Sequence, residues 1–249
     1  MKNFSILVVF FVTIACGSNS EESPSSLSVF EGNLRGGLEK GEFTLTFDDG
    51  PTPHTERVLD TLAKYGMKAT FFVKGNLAEK RPDILTRMVD EGHLVANHTY
   101  DHPNMRNLSR DEIIDQVSRT HQIISPYVDM NHYFFRAPYG AWRLDIGETL
   151  NEAGFDYYVG NIFWDVGGVL TDTYAADWNC WSESIAPYEC GRRYLNEMRD
   201  RKSGIVLFHD VTSKTARMIE YLLPKMLDKN YEIVRLDEVP KYRQKLDTM

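Results

Sequence analysis

The stretch "TLTFDDGPT", residues 44–52, closes an apolar run that starts at Glu42 and ends on two adjacent carboxylates followed by Gly50-Pro51. Its Thr and Phe content favours a strand, and Gly-Pro ends it. Neighbouring side chains on a strand point to opposite faces, so Asp48 and Asp49 are expected to do different work, one holding a metal and the other acting as a base. An acidic turn is the plainer alternative, because Asp-Asp-Gly-Pro is also good turn chemistry.

Moving outward, the runs "EFTLTF", "KATFFV", "HLVAN", "HYFFR", "YYVGNIFW", "GIVLFH" and "YEIVRL" read as seven strands, several apolar enough to be buried on both faces. Helical runs separate them, starting near Pro53, Pro82, Ser109, Arg143, Cys190 and Ser213. "SRDE" at Ser109 is a capping box, with Ile113, Val117 and Ile124 recurring on one face behind it. Such alternation over about 210 residues predicts an α/β fold with seven parallel strands in an incomplete (β/α) barrel, TIM-barrel-like, without a second domain.

The composition is that of a globular chain: 249 residues, 42% hydrophobic and 26% charged, with a net charge of −8. No basic run or aromatic-basic interleaving accompanies the negative charge, so nucleic acid and anionic membrane surfaces are excluded as partners, and a monomer is expected. Residues 1–16 read as an export signal, with Lys2, the apolar stretch "FSILVVFFVTIA" and small residues before Cys16. Small residues before a Cys are similar to a bacterial lipoprotein site, although Thr13 stands where Leu is usual, so a lipid anchor at Cys16 is one expectation and the only membrane attachment foreseen. Residues 17–41 read as a Ser-rich linker and lead-in, and residues 42–249 as the folded domain. In an oxidising compartment Cys180 and Cys190 are then left as an even pair, expected to form a disulfide, with two buried thiols as the alternative.

In barrels of this kind chemistry gathers at the carboxyl ends of strands. Asp48-Asp49 leave the first strand, His98 and His102 the third, Arg136 the fourth, Asp165 the fifth and His209-Asp210 the sixth. In "NHTYDHP" the two histidines are four apart, a spacing that on one helical turn lets both imidazoles reach one metal. Thr99 stands where a zincin would need Glu, so a third ligand and a base must come from elsewhere, and Asp49 and Asp48 supply both. His54, His93, His121 and His132 are read as structural.

"TFDDGPT", "NHTYDHP", "RAPYG", a Trp-Asp segment and "IVLFHD" occur in the order and rough spacing of the polysaccharide deacetylases with a NodB-homology domain, carbohydrate esterase family 4, which the chain resembles over roughly residues 42–240. The resemblance implies a distorted (β/α) barrel and a metal-dependent N-deacetylase of N-acetylglucosamine polymers. It implies Asp49, His98 and His102 as metal ligands, Asp48 as general base and His209 as general acid. Arg136 is implied to hold the base carboxylate, the N–H of Tyr139 to face the oxyanion, Pro138 and Gly140 to shape that loop, and Leu207 to wall the acetyl pocket. Zn²⁺ is the implied metal, with Co²⁺, Ni²⁺ and Mn²⁺ able to accept the same ligands.

The chain departs from the family's Asp-x-x-Asp-Trp pattern: "FWDVGGVLTDTYAADWNCW" separates Asp165 from Asp177-Trp178, leaving either carboxylate as the partner that tunes His209. Trp178, Trp181 and Trp142 are candidates for sugar subsites, with core packing an equal alternative. Peptidoglycan is the expected polymer for an exported, periplasmic or extracellular protein; chitin or chitooligosaccharide is the nearest alternative and acetyl-xylan a further one. Two other classes stand beside these: a non-haem iron oxygenase, which also uses two His and a carboxylate, and an inactive carbohydrate-binding protein.

Overall fold

The computed structural model describes residues 32–128 and 132–247, so the expected export signal and Cys16 lie outside the described residues. The opening run forms β1 (Glu42–Asp48), at the centre of a parallel sheet. It pairs with β2 (Ala69–Val73) on one side and β4 (Gly204–His209) on the other, and at its start with the two-residue β5 (Glu232–Ile233). Next to β2 lies β3 (Leu94–Asn97), and every residue of β2 and β3 is buried, as parallel strands covered on both faces require. The helices are α1 (Thr55–Lys64), α2 (Gly75–Ala78), α3 (Pro82–Asp90), α4 (Arg110–Ile124), α5 (Leu144–Leu150), α6 (Asp177–Ser182), α7 (Pro187–Arg201), α8 (Ser213–Asp228) and α9 (Pro240–Asp247).

Five of the seven expected strands are regular, the last of them only two residues long, and the other two are reduced to single parallel bridges that still carry the ring round. Asn97 bridges Phe135, Phe134 bridges Val159, and Val166 bridges Val206 of β4. The ladder is thin there because side chains take over its hydrogen bonds: Asn161 Oδ1 accepts from the Ala137 N–H at 2.7 Å, and Arg136 Nε donates to the Ile162 carbonyl at 3.0 Å. The result is a distorted barrel. Residues of the expected lead-in belong to it, since Leu34 bridges Ile162 and Tyr242 of α9 donates to the Gly36 carbonyl.

The two faces of β1 divide the labour. Phe43, Leu45 and Phe47 pack with Val206, Phe208 and the apolar sides of α1, α7 and α8, each large side chain contributing roughly 1.5–3 kcal/mol by leaving water. Thr44, Thr46 and Asp48 occupy the alternate positions and are buried as well, on the side where Arg136 lies. Ser109 caps α4 as expected, its Oγ accepting from the Glu112 N–H while Glu112 Oε2 accepts from the Ser109 N–H at 2.8 Å. The expected disulfide is formed: Cys180 of α6 is bonded to Cys190 of α7, tying a short helix near the site to a long one behind it.

Candidate active site

A cavity of about 540 Å³ opens where β1, β3 and β4 end, and Asp48, Asp49, His98, His102, Leu207 and His209 all line it. Asp48 is the last residue of β1 and stands in register with His209, the last of β4. Strand alternation would turn Asp49 away from it. Instead the Asp49 backbone takes φ 74°, leaving the strand and bringing the second carboxylate into the same cavity. The turn after it is tied to the end of β4, because Thr52 Oγ1 donates to the Asp210 carbonyl at 2.7 Å and Thr55 Oγ1 donates to the Asp210 carboxylate. Burial pushes the Asp210 carboxyl up to about 7, a group the motif reading gave no task.

His98 and His102 reach the cavity from a bent loop, not from the helical turn that their spacing suggested. Thr99 and His102 have φ 65° and 68°, left-handed values that fold the loop back so both rings face the same space, centroids 5.0 Å apart. His98 Nδ1–H donates to the Arg136 carbonyl at 2.7 Å, which fixes the tautomer with a bare Nε2. Burial holds its pKa down to about 4, so the ring is neutral. That Nε2 lies 3.7 Å from both Asp48 Oδ2 and Asp49 Oδ1, and His102 Nε2 lies 3.0 Å from Asp49 Oδ1. Burial opposes ionisation of Asp49, but His102, His98 and His209 outweigh it and hold its pKa well below the carboxylate range. Asp49 Oδ1 is nevertheless buried without a hydrogen bond of acceptable geometry. Three donor atoms of Asp49, His98 and His102 thus lie within 4.8 Å of one another, the set that a small divalent cation satisfies.

Arg136 is fully buried and holds Asp48 directly, with Nη1 2.6 Å from Oδ1 and 2.9 Å from Thr46 Oγ1. One oxygen of Asp48 is thereby engaged while the other faces the imidazole of His98. Tyr139 lines the cavity with φ 59° in the turn Pro138–Gly140, its ring 4.5 Å from that of His102. Pro138 is buried and shapes the turn without lining the cavity.

At the end of β4, His209 is paired with Asp177, which resolves the choice left by the sequence. His209 Nδ1 lies 2.8 Å from Asp177 Oδ1, and the His209 N–H donates to Oδ2 at 2.8 Å. The Trp178 N–H and Thr215 Oγ1 also donate to this carboxylate, which is wholly buried. Burial would lower the His209 pKa, but Asp177, helped by Asp48 and Asp49, raises it to about 9. Asp165 is not part of the site: its carboxylate accepts from the Ile205 and Gly36 N–H groups, four residues before His209 along β4, roughly 13 Å away at strand rise.

Among the tryptophans, Trp178 and Trp181 line the cavity, and Trp178 meets His209 edge to face with centroids 5.0 Å apart. Trp142 does not line it; it is buried against Phe135 in the cluster beneath α4 and α5. Trp164 takes the place expected of Trp142, standing in the wall stacked on Phe163. Its signal was present in "FWD", directly before Asp165. Three of the remaining histidines have structural partners: His93 accepts from the Ala69 N–H, His121 meets Tyr158 and Tyr157, and His132 pairs with Asp237, while His54 stands at the N-terminus of α1 without a side-chain capping bond.

Residues 35–158 match the family described as "Polysaccharide deacetylase". The chain is 34% identical over 237 residues to the peptidoglycan-N-acetylglucosamine deacetylase PgdA of Listeria monocytogenes, covering 94% of this chain and 45% of that one. It is 32% identical over 219 residues to a chitooligosaccharide deacetylase of Bradyrhizobium sp., covering 78% of this chain and 89% of the relative. The solved Bc1960 peptidoglycan N-acetylglucosamine deacetylase superposes with a TM-score of 0.70 at 28% identity, over 87% of this chain and 96% of that one. The chain belongs to the polysaccharide deacetylase family. It spans just under half the length of the Listeria relatives.

Proposed function

We propose that the chain removes the N-acetyl group from N-acetylglucosamine residues of a cell-wall polysaccharide, releasing acetate. The observation that carries this reading is the pairing of an open three-donor cluster, Asp49, His98 and His102, with an Arg-held carboxylate on one side and an Asp-held imidazole on the other. Bound to those three donors, a divalent cation supplies Lewis-acid polarisation of the acetamide carbonyl and a water of lowered pKa.

The protein's own groups do the rest. Asp48, fixed through Oδ1 by Arg136, accepts the proton of the attacking water on its other oxygen. The Tyr139 N–H is assigned to the developing oxyanion, and Leu207 to the acetyl methyl. His209, with Nδ1 engaged by Asp177 and a pKa near 9, carries a proton at neutral pH and delivers it from Nε2 to the departing nitrogen. Without that proton the tetrahedral centre would expel hydroxide in preference to an amide anion. Trp164, Trp178 and Trp181 offer aromatic faces to the C–H surface of sugar rings.

Peptidoglycan is the favoured polymer, on the strength of the expected export signal and the named activity of the Listeria relatives, and chitooligosaccharide comes second. Zn²⁺ is the favoured metal, because two imidazoles and one carboxylate form the open three-ligand set of hydrolytic zinc. Export, with or without a lipid on Cys16, and a monomeric state belong to the same reading. An iron oxygenase would leave the Asp48–Arg136 and His209–Asp177 pairs without a task. Mass spectrometry of peptidoglycan and chitin fragments incubated with Zn²⁺-loaded protein tests the proposal: each product should have exchanged one acetyl for hydrogen, with equimolar acetate. Fragments left intact in both polymers would refute it.

A further inference from the structure

The geometry points to Gln116, on α4 and outside the cavity, as the positioning residue that sets the spacing of the His98 and His102 imidazoles. The inference rests on the reading of those two rings as metal ligands. Both stand on the loop from Asn97 to His102, whose two left-handed non-glycine residues make it a conformation that the chain does not adopt unaided. Such a loop persists only where its surroundings over-determine it, and here almost every backbone polar group between the ligands is captured. The Thr99 N–H donates to Asn97 Oδ1 at 2.9 Å, while the Thr99 and Tyr100 carbonyls accept from the N–H groups of Gly75 and Asn76 at 3.0 and 2.9 Å.

Two donors remain, the consecutive N–H groups of Tyr100 and Asp101, and both end on one atom. Gln116 Oε1 accepts them at 3.0 and 3.1 Å. Paired N–H groups aimed at one point require a locally curved backbone, so an acceptor at that point fixes the curvature that brings His102 back toward His98. Gln116 is buried in the middle of a 15-residue helix that is capped at Ser109, so the acceptor is delivered from a rigid element. On the other side of the loop the approach is equally close: a Cβ on Gly75 would lie 2.7 Å from the Tyr100 ring and 2.6 Å from Thr120 Oγ1. The loop is clamped between α2 and α4, and Gln116 is the only side chain of α4 shown bonding to its backbone among the described residues.

Gln116→Met keeps the length of the side chain and removes the acceptor, whereas Gln116→Glu keeps two lone pairs at the same reach. In Zn²⁺ titrations the Met variant should bind roughly 10- to 100-fold more weakly than the wild type, and the Glu variant should recover most of that loss. Hydrogen exchange of the metal-free proteins supplies a second readout: the Tyr100 and Asp101 amides should be protected in the wild type and exposed in the Met variant. A merely structural role would lower the thermal midpoint of the metal-free protein and leave the Zn²⁺ affinity of its folded fraction unchanged. A folded Met variant with wild-type affinity overturns the inference. If that variant does not fold, free exchange of both amides in the wild type overturns it. A wild type that ignores Zn²⁺ would sink the ligand assignment instead, and the exchange measurement separates the two failures.

Discussion

Replacing Asp177 by Asn separates the charge of the acid's partner from its shape. The carboxylate accepts His209 Nδ1–H and the His209 backbone N–H, and Asn keeps the volume while losing the negative charge and one acceptor. Burial depresses the pKa of His209, and Asp177 is the largest influence that raises it to about 9. With the charge gone, the ring should return to the ordinary histidine value of about 6.5 or below. At pH 7.5 the protonated fraction then falls from nearly all to roughly a tenth, so turnover should drop about tenfold from protonation alone. Misorientation of the ring adds to that loss. The sign is fixed by the role: an acid works only while protonated, so activity is lost as pH rises through its pKa. The alkaline limb of kcat should therefore move down by roughly two pH units or more in the variant. The assay is acetate release from a defined chitooligosaccharide between about pH 5 and pH 10, with bound Zn²⁺ quantified at each pH. An Asp177→Asn enzyme with full metal, near-normal kcat and an alkaline limb still near 9 would refute the reasoning.

His209→Ala should fold and bind metal normally while losing on the order of 10²–10⁴ in kcat, and steady-state kinetics with metal analysis checks both halves of that statement. The adjacent carboxylates should part company: Asp49→Ala loses metal and activity together and regains some of each in excess Zn²⁺, whereas Asp48→Asn keeps metal nearly stoichiometric and loses activity by orders of magnitude. Equal metal loss in both variants would make the pair a shared ligand set. Removing the Cys180–Cys190 bond, which closes a loop with a sequence separation of 10, should lower stability by roughly 2–3 kcal/mol in urea unfolding, and an unchanged midpoint would contradict it.

The parallel barrel was legible because buried parallel strands write themselves as apolar runs, and "EFTLTF", "KATFFV" and "GIVLFH" did so plainly. "HYFFR" and "YYVGNIFW" carry the same signature yet make only single bridges, since Arg136 and Asn161 use their side chains where a ladder would use backbone. Hydropathy does not register that substitution. The cavity residues Asp48, Asp49, His98, His102 and His209 were recoverable from their places after strands, but how they arrive was not. A left-handed residue at Asp49 cancels the alternation, and a braced loop replaces the helical turn drawn from the spacing of the two histidines. The choice between Asp165 and Asp177 depends on the level along β4 that each carboxylate meets, a quantity with no trace in local pattern. Trp142 and Trp164 were interchangeable to a reading by residue type, because burial under α5 is decided by tertiary packing.

The register of β1 against β4 sets Asp48 directly opposite His209 on adjacent strands, so the two groups rise from backbone positions whose separation is a lattice constant of the sheet, about 4.8 Å from strand to strand. Loops inherit no such constraint. The stretch between Asp165 and Asp177 can wander through Gly167, Gly168 and beyond, and its length can differ from that of relatives, because the partner it must find is fixed beforehand by backbone hydrogen bonds. Change in this protein is therefore cheap around the rim and severe along the ladder, where a one-residue slip of either strand would turn its own group away from the cavity.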